Sequence, residues 1–375
     1  MDDNQTPNGR HRRQILAATG AASAFGLAGC LGSVLDSGEE TTTDVTIGQI
    51  GSGRDGRDAP GGTPMGEMPA LEGELTVYSG RGEFLVGDLL TYIDELYDDF
   101  TLVRRYGGST DLVNQILNEG SGSPADVFFS VNAGALGTLT DEGRTQSLPD
   151  DVLETVRAEF RTDEWIGISG RARAVPFNTD AYNRAEMPDS IMTYPDFAGD
   201  IGWAPSYGSV QAFVTAMRTI EGEAATREWV RGIADGAKTY PDELAACQAI
   251  ADGSIDAAFT NHYYVQRVRD ANPGAPLATH FTQGDAGAVF NVAGAAIVDA
   301  AADSELAATF VRHLLSAEAQ DYFARRNFEY PLIPGVEPVG DIPTIDELDV
   351  PDLDLTVLSD LEPTIDLMRD EGVEI

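Results

Sequence analysis

From residue 74 onward, short apolar runs alternate with segments whose apolar residues recur every three or four positions. Leu75-Thr76-Val77-Tyr78 predicts a strand. Ser79-Gly80-Arg81-Gly82 then turns the chain into a helix whose Phe84, Leu85, Leu89, Leu90 and Ile93 fall on one side. A second strand over 100–106 leads through Gly107-Gly108 to Ser109, placed as an N-cap, and to the amphipathic run Leu112, Val113, Ile116 and Leu117. Ala125-Asp126-Val127-Phe128-Phe129 is a third strand. Strand alternating with helix predicts mostly parallel sheets flanked by helices, with ligands beyond the carboxyl ends of the strands, at the turns near Ser79, Gly107 and Ser130.

Two extended apolar segments break this rhythm, 165–178 and 287–298, and each reads as a crossing between lobes. The expected architecture is α/β and two-lobed: residues 74–172 with 290–330 form lobe 1, residues 173–289 form lobe 2, and hinge strands join them. Lobe 2 contains a helix over 210–220, with Ser209 placed to cap it, and a strand over 255–260. A further helix, 305–315, has Ser304 at its N-cap position. The tail, 331–375, is acidic and punctuated by proline, with one more helix near 358–368.

The first 73 residues are of another kind. Arg12-Arg13 precedes an apolar stretch over 15–29 that is short and rich in Ala and Gly, which reads as a twin-arginine export signal. Leu27-Ala28-Gly29-Cys30 resembles a lipobox, so residues 1–30 are expected to leave Cys30 as a lipid anchor at the extracellular face of the cell membrane; an uncleaved signal anchor is the alternative. Residues 31–73 are dominated by Gly, Thr, Ser, Asp and Pro and read as a flexible acidic tether. Its Gly51-Ser52-Gly53-Arg54-Asp55-Gly56 fits G-x-G-x-x-G but has no strand-turn-helix context, which favours linker glycine.

Charge narrows the partners. The chain carries 62 acidic against 24 basic residues, a formal charge of -38, and a single lysine, Lys238. That surface repels itself in dilute buffer and is tolerable where salt screens it, the Debye length being about 3 Å at 1 M. It is a halophilic composition, and it disfavours nucleic acid and anionic membrane surfaces. The expected consequence is folding that depends on molar salt, checked by loss of the circular-dichroism signal on dialysis to low salt. Charge-driven disorder fails because 42% of the residues are hydrophobic and patterned. With Cys30 consumed by processing, Cys247 has no partner, so no disulfide or zinc framework is available.

The chemistry-bearing stretch is Asn261-His262-Tyr263-Tyr264. Adjacent tyrosines aim at one spot only where a strand ends or a helix begins. Their phenolates are hard oxygen donors, and a trivalent cation can displace the phenol protons because binding and deprotonation are coupled. Packing alone is the other reading of such a pair. Against catalysis stand the four histidines, one of them in the signal, and the lack of G-x-S-x-G, H-E-x-x-H or paired C-x-x-C motifs.

Taken in order, Leu75-Thr76-Val77-Tyr78-Ser79-Gly80-Arg81, Tyr106-Gly107-Gly108-Ser109-Thr110, Pro124-Ala125-Asp126-Val127-Phe128-Phe129, Ser169-Gly170-Arg171-Ala172-Arg173, Trp203-Ala204-Pro205-Ser206-Tyr207-Gly208-Ser209, Asn261-His262-Tyr263-Tyr264 and Asn291-Val292-Ala293-Gly294 resemble the periplasmic ferric-iron-binding proteins, the solute-binding subunits of iron ABC importers. The resemblance implies a monomer that closes two lobes on ferric iron (Fe3+) and hands it to ABC permease subunits. It makes Tyr263 and Tyr264 iron ligands. It places Asn261, Ser169 and Gly170 where members hold a synergistic anion such as carbonate or phosphate. Arg81 and Arg171 are then either counter-charges to that anion or structural arginines paired to carboxylates.

The chain also departs from the pattern. Phe177 stands where many members have a third tyrosine, and Gly82 stands near a histidine position, with Glu83 beside it as a substitute ligand. Ser130 or Asn132 represents the acidic or amide position after the third strand, and Asp242 occupies an anion-contacting asparagine position. Two tyrosinates therefore need Glu83, an anion or water to complete the metal's shell. The same fold binding a phosphonate, thiamine or an organic acid is the alternative.

Overall fold

Strand β1 (Gly73–Ser79) pairs in parallel with β2 (Phe100–Tyr106) on one side and β3 (Val127–Ser130) on the other, with Leu75 opposite Leu102 and Val77 opposite Val127. Helices α1 (Glu83–Leu96), α2 (Ser109–Glu119) and α3 (Ala133–Asp141) return the chain between and after these strands. The apolar stripe of α1 buries Val86, Leu89, Leu90 and Ile93, whereas Phe84, placed with them by periodicity, is 83% exposed. Strand β4 (Thr145–Gln146) and α4 (Asp150–Leu153) follow. A computed structural model describes residues 47–51 and 57–375; the export signal, Cys30 and all but Gly51 of the glycine pattern lie outside the described residues.

The two predicted crossings are long strands, β5 (Ile166–Asn178) and β11 (Phe290–Val298), antiparallel to each other and buried along nearly all their length. β11 pairs with β3, so the sheet runs β2-β1-β3-β11-β5. The far half of β5 then borders a second group of strands. There it meets β8 (Ala257–Ala258), β9 (Thr260–Asn261) and β10 (Leu277–His280), all antiparallel, and β6 (Ile201–Trp203) joins β8 to β7 (Lys238–Thr239) in parallel. Helices α5 (Gly208–Ile220), α6 (Glu223–Ala234), α7 (Glu243–Ala251) and α8 (Tyr263–Ala271) belong to this half. Helices α9 (Ser304–Leu314) and α10 (Ala317–Tyr322) come after β11, and β12 (Tyr330–Pro331) returns to β5 opposite Ser169 and Gly170.

The three serines expected to cap helices have other partners. Ser109 Oγ accepts from Val131 N, Ser209 Oγ donates to Glu243, and α9 is capped by Asp303 rather than Ser304.

Two segments read as loose are seated on the body. Within the range assigned to a tether, Ile50, Met65 and Leu71 are buried, and the fully buried side of Glu318 accepts from Gly48 N and Met65 N. Burying such apolar side chains is worth about 1.5–3 kcal/mol each, and they follow no helical or strand period, which is why composition alone suggests a linker. The tail after residue 330 is likewise packed. Its 3-10 turn Leu355–Ser359 lies against α3 and α5, and its last helix, α11 (Glu362–Asp370), lies against α5 and α6. No helix among the described residues is long and apolar enough to cross a membrane.

Candidate metal centre

Strand β9 ends at Asn261, held opposite Arg173 of β5, and α8 begins two residues later at Tyr263. This is the strand-to-helix junction that lets adjacent tyrosines converge. The two rings lie 4.4 Å apart between centroids at 48°. Arg267, one helical turn on, places its guanidinium 4.7 Å from the Tyr263 ring centre and 5.3 Å from that of Tyr264.

A third phenol completes the group. Tyr207, immediately before α5, brings its hydroxyl within 2.8 Å of the Tyr264 hydroxyl, and the Tyr264 ring in turn packs on that of Tyr263. Asn261 Nδ2 donates to the Tyr263 hydroxyl at 3.4 Å. Loss of hydration pushes the Tyr263 phenol up, with the Glu243 charge adding and Arg171 opposing. Burial drives Tyr264 far above the ordinary tyrosine range, with Tyr263 and Glu243 adding to it. Both phenols therefore hold their protons at neutral pH. Phe177, by contrast, is buried core on β5, opposite Ala257, four residues along the strand from the Arg173–Asn261 level. The third phenol beside the pair is that of Tyr207.

Asn261 also lines a cavity of about 40 Å³, together with Arg171, Arg173, Ser209 and Asn291 among others, room for a few waters or a small anion. Arg173 Nη2 is buried there without a hydrogen-bond partner among the described residues. Arg171 donates to Val131 O at 2.7 Å and has no carboxylate partner among the described residues. Asn261 and Arg171 thus line one small polar cavity.

The other sequence-derived candidates are placed differently. Arg81 is fully buried, bonded to Glu329 at 2.8 Å and to Ser169 Oγ at 3.0 Å, and Ser169 donates to the same carboxylate at 2.7 Å. Burial pushes the Glu329 carboxyl up, but Arg81 outweighs it and holds the acid below the usual range. Arg81 is therefore the structural arginine, and Ser169 its partner. Arg81→Ala strands a buried charge and is expected to cost about 3–5 kcal/mol, read as a lowered thermal midpoint. Gly170 is needed for packing: a Cβ there would come within 2.1 Å of the Phe290 ring. Glu83 is exposed at the start of α1, where its charge is felt by Tyr106. Asp242 caps α7 by accepting from Ala245 N at 2.8 Å.

His262 is buried, with Nδ1 against the Ala172 backbone and its ring edge-on to that of Tyr263 at 5.8 Å, and burial pushes it down to about 4, so it stays neutral. Among the described residues no group of three or more His, Cys, Asp or Glu could hold a metal ion.

Residues 93–346 match the bacterial extracellular solute-binding protein family. The chain belongs to that family, among its ferric-iron-binding proteins. It is 31% identical over 321 residues to the major ferric iron-binding protein of Neisseria meningitidis, covering 82% of this chain and 95% of that one. It is 33% identical over 260 residues to iron uptake protein A2 of Synechocystis, covering 65% and 75%. Iron-bound HitA of Pseudomonas aeruginosa superposes with a TM-score of 0.71 at 27% identity, over 80% of this chain and 99% of that one. Trichodesmium FutA in complex with iron and citrate gives 0.70 at 25%, over 80% and 100%. The fold is that of the two-lobed periplasmic binding proteins, and the chain is a solute-binding component of transport rather than an enzyme.

Sequence reasoning missed Tyr207 and Glu243. In the sequence Tyr207 reads only as the approach to a helix; its aromatic ring before Gly208 is the available signal. Nothing local distinguishes Glu243 from surface acid.

Proposed function

We propose that the protein captures ferric iron, bare or as a small complex, and passes it to the permease of an ABC importer. The observation that carries this is the convergence of three phenols, Tyr207 hydrogen-bonded to Tyr264 and Tyr264 packed ring to ring on Tyr263. Three hard oxygen donors on two converging segments suit a hard trivalent cation, and three phenolates would balance its charge. Arg267 and Arg171, neither with a carboxylate partner among the described residues, then leave positive charge for an anion in the remaining coordination positions. Carbonate, phosphate or a carboxylate fits that role, held from Arg171 and Asn261.

Residues 74–172 with 290–330 act as one lobe and 173–289 as the other. They close about β5 and β11 to exclude water from the phenols. A lipid on Cys30 holds the protein at the outer face of the membrane. The test is native mass spectrometry with elemental analysis of protein purified in high salt and loaded from ferric citrate. One ferric ion per chain is expected; protein that stays free of iron and instead carries an organic solute refutes the reading.

A further inference from the structure

Glu243 opens α7 with its side chain fully buried. One oxygen accepts from Arg173 Nη1 and from Ser209 Oγ, and the other accepts from Asn261 N at 2.9 Å. Ser209 lies two residues after Tyr207, and Asn261 lies two residues before Tyr263. One carboxylate therefore ties together the two backbone segments that bring the three phenols to one point, and Arg173 on β5 supplies its counter-charge.

We propose that Glu243 is the positioning residue that sets Tyr207 against the Tyr263–Tyr264 pair and so makes the third phenol available to the ferric ion. This rests on the phenolate reading of the site. A buried acid is costly unless fully paired, and an apolar side chain would pack α7 at less expense. Its charge also helps keep protons on Tyr263 and Tyr264, which works against metal binding. A carboxylate nonetheless does what an apolar residue cannot: it accepts from three donors on three separate elements. The short hydroxyl contact between Tyr207 and Tyr264 is the geometry that results.

The test compares Glu243→Gln and Ser209→Ala with Tyr207→Phe. A glutamine keeps the shape but cannot accept from all three donors. Ser209→Ala removes the link from Glu243 to α5 and a long 3.4 Å contact from Arg173, leaving the carboxylate in place, so it carries the test should Glu243→Gln fail to fold. In iron-loaded protein, each of the three changes is expected to lower the visible charge-transfer absorbance per bound iron by roughly a third, and adding either positioning change to Tyr207→Phe should lower it no further, the signature of one shared interaction. In metal-free protein, the slowly exchanging phenol proton between Tyr207 and Tyr264 is expected in the proton NMR spectrum of the wild type and lost in both positioning variants.

A band that Tyr207→Phe lowers but Glu243→Gln and Ser209→Ala leave intact, or losses that add to that of Tyr207→Phe, overturns the proposal alone. So does a band that Tyr207→Phe leaves unchanged. Iron uptake by the wild type with no such band overturns the phenolate reading and the proposal together.

Discussion

Tyr263→Phe is expected to lower ferric affinity at least about a hundredfold, since loss of an outer-shell partner of a metal ligand already costs 10–100-fold and this change removes a direct donor. The substitution isolates one oxygen. The ring remains to stack against Tyr264 and beneath Arg267, and the hydroxyl's bond from Asn261 is long at 3.4 Å, so little is left unsatisfied in the metal-free fold. Stability should move by less than about 1 kcal/mol while binding collapses. Competition against citrate at fixed pH and molar salt measures it; a variant that keeps wild-type affinity shows that Tyr263 is not a ligand. Tyr264→Phe is a less clean probe, because it also strands the Tyr207 hydroxyl.

The second large effect is on pH. Tyr263 and Tyr264 are both raised above ordinary tyrosine, first by loss of hydration and then by neighbouring charge, so the metal-free protein keeps both protonated through neutral pH. Iron must expel those protons, and acid competes with it. With two to three protons released per ion, affinity is expected to fall about 100- to 1,000-fold for each unit of pH lowered. The sign is fixed by the linkage: a raised phenol pKa means more protons bound in the free state, hence weaker binding as pH falls. Because the pKa values lie above the unperturbed value near 10, the slope should persist across the whole neutral range without levelling. Proton release on loading, followed in weakly buffered solution, checks the count. Binding that is flat between pH 6 and 8, at roughly two units wide, excludes displaced phenol protons.

Much of this was legible in the chain. Alternating strand and helix patterns located β1 to β3, and two long apolar runs marked β5 and β11. The Tyr263–Tyr264 pair declared its junction because no regular element can aim both rings together. What stayed hidden depends on partners far apart in sequence. Tyr207 becomes a site residue only through a hydroxyl contact to Tyr264, and Arg81 becomes structural only once Glu329 is brought beside it. Ser109, Ser209 and Ser304 stand where caps are expected, but two of them reach across to neighbouring elements and the third yields to Asp303. The docked segment around Met65 and the packed tail near Leu358 use isolated apolar residues with no period to betray them.

The central claim, that ferric iron is held through phenol oxygens, is tested most directly by resonance Raman excitation of protein loaded with one equivalent of iron in high salt. Tyrosinate ring modes enhanced within a visible charge-transfer band are the expected result. Stoichiometrically loaded protein that is colourless and lacks those modes would contradict it.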